Sequence, residues 1–328
     1  MHRRRFIALG SQMVAWLPFA ANAQSGRPLP RIGVALSGRA SDPQPQEQAA
    51  AFRAGLEALG WKDGANVQIE YRWLDDPAHA NELAKELVGL SPAVILAGGT
   101  INTTALQQAT KTIPIVFLNV TDPVAGGFVA SLARPGGNIT GITPFEYEIG
   151  GKWLQLLKEM APGLKRVALL GDPGNHNFKG FRKSFEDYAN KIAVDPVSVA
   201  VRSADDLERE IGALSDDGRS GLVVSAATFS ITYRDLIVSL AAKRKLPAIY
   251  WNRVSVARGG LMSYGPDIVG LFRQSATYID RILKGAKPED LAVQTPVKIE
   301  LIVNGATAKA MGLAIPFSIL SSADQIIE

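Results

Sequence analysis

The chain has 328 residues, of which 47% are hydrophobic and 20% charged, with a formal net charge of +4 and no cysteine. That is enough apolar material for two separate cores, and the lack of cysteine excludes disulfides, thiolate metal sites and a cysteine nucleophile. Arg3, Arg4 and Arg5 sit at the extreme N-terminus and leave +1 for everything after them, so there is no nucleic-acid footprint, and His2, His79 and His176 show no metal-ligand spacing.

Residues 1–23 follow the order of an export signal. A basic start precedes the apolar stretch 6–21, and the small residues Ala21-Asn22-Ala23 come just before Gln24. Ser11, Gln12 and Pro18 interrupt the apolar stretch, which favours a cleaved signal peptide over a membrane anchor. Arg3-Arg4-Arg5-Phe6-Ile7 resembles the start of twin-arginine export signals, and Gln24, where a lipoprotein would have cysteine, gives no lipid anchor. The expected location is the periplasm of a double-membraned bacterium.

Strand and helix patterns then alternate. A buried strand over 31–36 ends at Ser37-Gly38, and Ala49, Phe52, Leu56 and Leu59 mark a helix over 46–59 closed by Gly60. Val67, Ile69, Tyr71 and Trp73 alternate as a strand, a helix covers 78–90, and the strand over 93–97 runs into Gly98-Gly99-Thr100 and a helix over 101–109. The run 113–123 reads as a buried parallel strand entered through Pro114 and presenting Thr121 and Asp122 at its carboxyl end, although Asp122-Pro123 also reads as a helix cap and first helical residue. After the turn Arg134-Pro135-Gly136-Gly137-Asn138 comes a strand over 139–143.

From Gly151 the pattern starts again, with helices over 153–160, 179–191, 204–214 and 231–243, and strands over 166–170, 195–201, 221–225 and 247–251, followed by Leu261-Met262-Ser263-Tyr264. A long amphipathic helix over 269–284, a strand over 297–303 and a helix over 306–311 complete the chain. The expectation is an α/β protein of two Rossmann-like lobes with parallel sheets: 30–142 plus 265–295 in lobe 1, and 143–264 plus 296–328 in lobe 2. Repeated crossings would let the lobes hinge and close around a ligand.

In open α/β sheets, ligands bind outside the carboxyl ends of the strands. Lobe 1 offers Ser37, Gly99 with Thr100, and Thr121 with Asp122 at such ends. Hydroxyls and helix-start amides suit a carboxylate, and Asp122 suits an ammonium or hydroxyl group. Lobe 2 offers the polar cluster Asn175, His176 and Asn177, then Thr228, with Phe229, Trp251 and Tyr264 as aromatic walls for a flat ligand; Tyr147 follows the first crossing. Sugars share a liking for stacked aromatics. No nucleophile accompanies His176, and no G-x-S-x-G elbow, P-loop or dinucleotide fingerprint is present, so neither catalysis nor a cofactor is marked.

Four stretches carry a family resemblance: Val120-Thr121-Asp122-Pro123-Val124; Ser131-Leu132-Ala133-Arg134-Pro135-Gly136-Gly137-Asn138-Ile139-Thr140-Gly141; Gly259-Gly260-Leu261-Met262-Ser263-Tyr264-Gly265; and Ile282-Leu283-Lys284-Gly285-Ala286-Lys287-Pro288. In this order they resemble the ABC-transporter substrate-binding family that includes tryptophan and other aromatic amino-acid binding proteins. The resemblance implies a type I periplasmic binding protein that delivers a small molecule to an inner-membrane permease driven by a cytoplasmic ATPase; a monomer is the expected state. A periplasmic ligand sensor of the same fold and a secreted α/β enzyme are the alternatives.

Overall fold

A computed structural model describes residues 28–144, 146–172, 176–214, 218–295 and 298–328. The signal-peptide segment and Asn175 lie outside the described residues.

The first half folds as β1 (Arg31–Ser37), α1 (Pro43–Ala58), β2 (Gln68–Leu74), α2 (Ala80–Gly89), β3 (Val94–Gly98), α3 (Thr100–Ala109), β4 (Ile115–Leu118) and β5 (Ile139–Ile142). The strands form one parallel sheet in the order β2-β1-β3-β4-β5. β3 is buried along its whole length, as its uninterrupted apolar run requires of a strand covered on both faces. β4 is shorter than the apolar run it sits in: Asn119, with φ +61°, takes the left-handed conformation and ends the strand.

The second half supplies α4 (Ile149–Met160), β6 (Arg166–Gly171), α5 (His176–Lys191), β7 (Asp195–Ala200), α6 (Ala204–Ala213), β8 (Ser220–Val224), α7 (Thr228–Thr232), α8 (Arg234–Lys243), β9 (Ala248–Tyr250), α9 (Arg253–Ala257) and β10 (Met262–Pro266). The expected helix over 231–243 is two helices, broken at Tyr233, and Phe229 of the first packs in the apolar cluster under α8. α9 was not visible in the hydrophobic pattern; the Asn252 side chain starts it by accepting from the Ser255 amide at 3.2 Å.

After β10 the chain returns to the first sheet as α10 (Ile268–Leu283), which packs along α1 and over β3, β4 and β5. Residues 291–294 run beside β5, where the Thr140 hydroxyl donates to the Leu291 carbonyl and the Gln294 amide to the Gly141 carbonyl at 3.1 Å. The chain then rejoins the second sheet through β11 (Ile299–Asn304), α11 (Gly305–Ala310), α12 (Phe317–Ser322) and β12 (Gln325–Ile327). That sheet runs β12-β11-β10-β9-β8-β6-β7, and all neighbours are parallel except the antiparallel pair β10–β11.

Each sheet buries apolar residues on both faces. In lobe 1 one cluster lies under α1 and α10 and another under α2 and α3; in lobe 2 they lie under α4 and α5 and under α6 and α8. The strand orders reverse between β1 and β3 and again between β6 and β8, which opens a crevice at each reversal.

Candidate functional site

The lobe 1 crevice is built by Ser37, Gly99, Thr100 and a residue that the sequence alone did not single out, Asn102. Gly99 holds φ +90°, a conformation open to glycine, and a Cβ there would stand 3.7 Å from the Ser37 hydroxyl. The Ser37 hydroxyl donates to the Gly98 carbonyl and accepts from Asn102 Nδ2, both at 3.3 Å, while Nδ2 also donates to the Gly98 carbonyl at 2.8 Å. Asn102 is 1% exposed, and its Oδ1 accepts from no group among the described residues. No side chain caps α3 at Gly99, so its first amides and positive dipole end are left for another acceptor. The available signal for Asn102 was its position four residues after Gly98, one helical turn back to a strand-end carbonyl.

At the neighbouring strand end, the Thr121 carbonyl accepts from the Thr143 hydroxyl at 2.9 Å and Asp122 Oδ1 accepts from the Ala125 amide at 2.8 Å. Asp122 therefore caps a turn, and it also accepts a hydrogen bond from the Tyr147 phenol. The Tyr147 ring lies on lobe 2: a Cβ at Gly180 of α5 would come within 2.4 Å of it, and Phe181 meets it edge-on at 5.3 Å between centroids. Tyr147 thus joins a lobe 1 carboxylate to a lobe 2 helix. Burial, then the adjacent Asp122 carboxylate, push its phenol well above the usual tyrosine range.

Four more phenols, Tyr71, Tyr250, Tyr264 and Tyr278, are raised, each chiefly by burial, with Tyr278 pushed up to about 12. In the unfolded chain these groups ionise near pH 10. The folded state therefore holds more protons than the unfolded one above that pH, and stability falls as pH rises. Thermal unfolding followed from pH 8 to 11 is expected to show midpoints dropping above about pH 10, with tyrosinate absorbance appearing together with unfolding. Full phenol ionisation near pH 10 with the fold intact would contradict this.

The other aromatic candidates are buried or partly buried at their strand ends. Phe229, 7% exposed, belongs to the apolar cluster under α6 and α8. Trp251, 6% exposed, packs in the α4 cluster with its indole N–H donating to the Ser230 hydroxyl at 3.0 Å. Tyr264 lines a cavity of about 330 Å³ at the crossings, with Glu146, Glu148, Lys152, Thr295 and Ile299. His176 and Asn177 form the start of α5 and Thr228 the start of α7; their backbones are described, their side chains are not. Across the mouth, Arg234 at the start of α8 reaches Gln44 of α1, Nη2 to Oε1 at 3.5 Å. Neither residue carried a sequence signal. Among the described residues no helix is long and apolar enough to cross a membrane, and no cluster of metal-binding side chains occurs.

Two α/β lobes, each with its own largely parallel sheet and connected by three passages of the chain, are the architecture of a two-lobed solute receptor. The model of the ABC transporter substrate binding protein family matches residues 33–327, and the chain belongs to that family. It is 30% identical over 264 residues to a tyrosine-binding protein of Clostridioides difficile, spanning 80% of this chain and 75% of that one. Among solved structures it resembles an ABC domain in complex with L-Trp from Streptococcus pneumonia, with TM-score 0.82, 26% identity and coverage of 92% and 100% of the two chains. A ligand-free, open substrate binding protein from Clostridium difficile with adhesive properties matches with TM-score 0.73, 26% identity and coverage of 91% and 99%. The fold and the solute-binding class expected from the sequence are both borne out.

Proposed function

We propose that the chain is the periplasmic receptor of an ABC importer and that its ligand is an aromatic amino acid. The carrying observation is the pairing of opposite preferences at adjacent strand ends. The uncapped start of α3 with Ser37 and Thr100 suits a carboxylate, and Asp122, in the turn that follows the adjacent strand β4, suits the ammonium group. With Phe229 and Trp251 packed in the lobe cores, the aromatic wall falls to Tyr147, whose ring is braced by Gly180 and Phe181. The tyrosine and L-Trp ligands of the two relatives support this class of solute.

In this reading the lobes comprise 30–142 plus 265–295 and 143–264 plus 296–328, and they close as rigid bodies about the crossings. The closer match to the L-Trp complex than to the open receptor, at equal identity, supports a closed arrangement here. Residues 1–23 direct export and are removed, the mature receptor is a monomer, and it hands its ligand unchanged to a permease. A thermal-shift screen against amino acids, sugars and aromatic acids tests the reading. L-tyrosine, L-tryptophan or L-phenylalanine at about a hundred times its dissociation constant is expected to add about 2.7 kcal/mol, with the ligand recovered intact. A response to sugars alone, or conversion of the ligand, would refute it.

A further inference from the structure

Asn102 is an unexpected residue for its place. It is 1% exposed in the first turn of α3, yet its Oδ1 accepts from no group among the described residues, and an apolar side chain of the same size would avoid that cost. The amide is not simply reversed. With oxygen and nitrogen exchanged, its oxygen would face the Gly98 carbonyl at 2.8 Å, acceptor against acceptor. What the side chain does offer is a pair of N–H bonds, one to the Ser37 hydroxyl at 3.3 Å and one to the Gly98 carbonyl at 2.8 Å.

Those two bonds decide what the Ser37 hydroxyl can do. Ser37 is exposed at the end of β1, while its donor Asn102 is buried. A serine hydroxyl has a single proton, and here it goes to the Gly98 carbonyl at 3.3 Å, long for an O–H···O bond. Asn102 holds the same carbonyl by the shorter bond and also donates to the serine oxygen. Ser37 can therefore turn its proton away from Gly98 without leaving that carbonyl unpaired, and its oxygen, already accepting, is the stronger donor for it.

We propose that Asn102 is a positioning residue that frees the Ser37 hydroxyl to donate to the ligand's carboxylate at the start of α3. This rests on the amino-acid reading of the crevice and deepens it: Asn102 acts on the ligand through Ser37 and favours solutes that carry an acid group. Without its two donors, the Gly98 carbonyl would keep the Ser37 proton, and Ser37 would meet a carboxylate as one acceptor meets another.

The test is a double-variant cycle on the purified protein: wild type, Ser37→Ala, Asn102→Leu and the two changes combined, each titrated with L-tyrosine and with tyramine, which lacks the carboxylate. Asn102→Leu keeps the volume and removes both donors. It is expected to weaken L-tyrosine about tenfold, the scale of one hydrogen bond to a charged group, and to leave tyramine within about threefold. On the Ser37→Ala background the same change should cost L-tyrosine less than about twofold more, because Asn102 then has no hydroxyl to act through. Asn102→Ala supplies the same comparison if leucine does not fit the buried site. Additive losses from the two changes, equal losses for the two probes, or wild-type affinity in a folded Asn102 variant would overturn the assignment, as would failure of both Asn102 variants to fold. Where tyramine binds too weakly to measure, additivity decides alone. A wild-type protein that binds no aromatic amino acid fails at the amino-acid reading itself, and the assignment falls with it.

Discussion

Trp153→Ala is expected to destabilise the protein by about 3–5 kcal/mol, the range for deleting a large buried aromatic side chain. Trp153 is fully buried in the α4 face of lobe 2, tilted against Phe181 with 5.4 Å between ring centroids. Its indole N–H donates to the Tyr264 carbonyl at 2.7 Å, in the strand that leads to the second crossing. Truncation therefore removes packing and leaves a strand carbonyl without this donor, so little relaxation can recover the loss. At roughly 2–4 °C per kcal/mol for a protein of this size, the unfolding midpoint should fall by about 6–20 °C. Trp153→Phe, which keeps a ring but loses the donor, should cost about 1–2 kcal/mol. Denaturant unfolding of both variants checks this, and a loss below about 1 kcal/mol for the alanine variant would show that the helix does not depend on this contact.

The second large effect concerns binding. Asp122→Asn keeps an oxygen to accept from the Ala125 amide but loses the charge offered to an ammonium group. Affinity for an aromatic amino acid should fall by about tenfold to a hundredfold, the scale of a charge-assisted hydrogen bond. The unfolding midpoint should hardly move, because the turn keeps its cap. A folded variant with wild-type affinity would remove Asp122 from the ligand contacts and leave it a structural partner of Tyr147.

The strands and most helices were legible because burial on both faces writes long apolar runs, as in β3 and β8, and because helices such as α10 carry one apolar stripe. Short elements escaped for a matching reason. α9 and β12 are too short for a period to show, and α7, at five residues, is too short for its break from α8 to be read from spacing. Within the site, Ser37, Gly99, Thr100, Thr121 and Asp122 were visible as polar residues ending apolar runs. Aromatic residues at strand ends were ambiguous, since burial and ligand stacking use the same side chains; the structure places Phe229 and Trp251 in the cores and Tyr147 between the lobes. Arg234 and Gln44 meet only because the lobes are apposed, 190 residues apart in the chain, and no local pattern could have joined them.

Calorimetric titration of the purified protein with L-tyrosine, L-tryptophan and L-phenylalanine tests the central claim most directly. The account predicts saturable binding of at least one of them at one molecule per chain, with a negative heat-capacity change from burial of the aromatic ring. No heat with any of the three at millimolar concentration, alongside saturable binding of a ligand lacking either the amino or the carboxylate group, would contradict it.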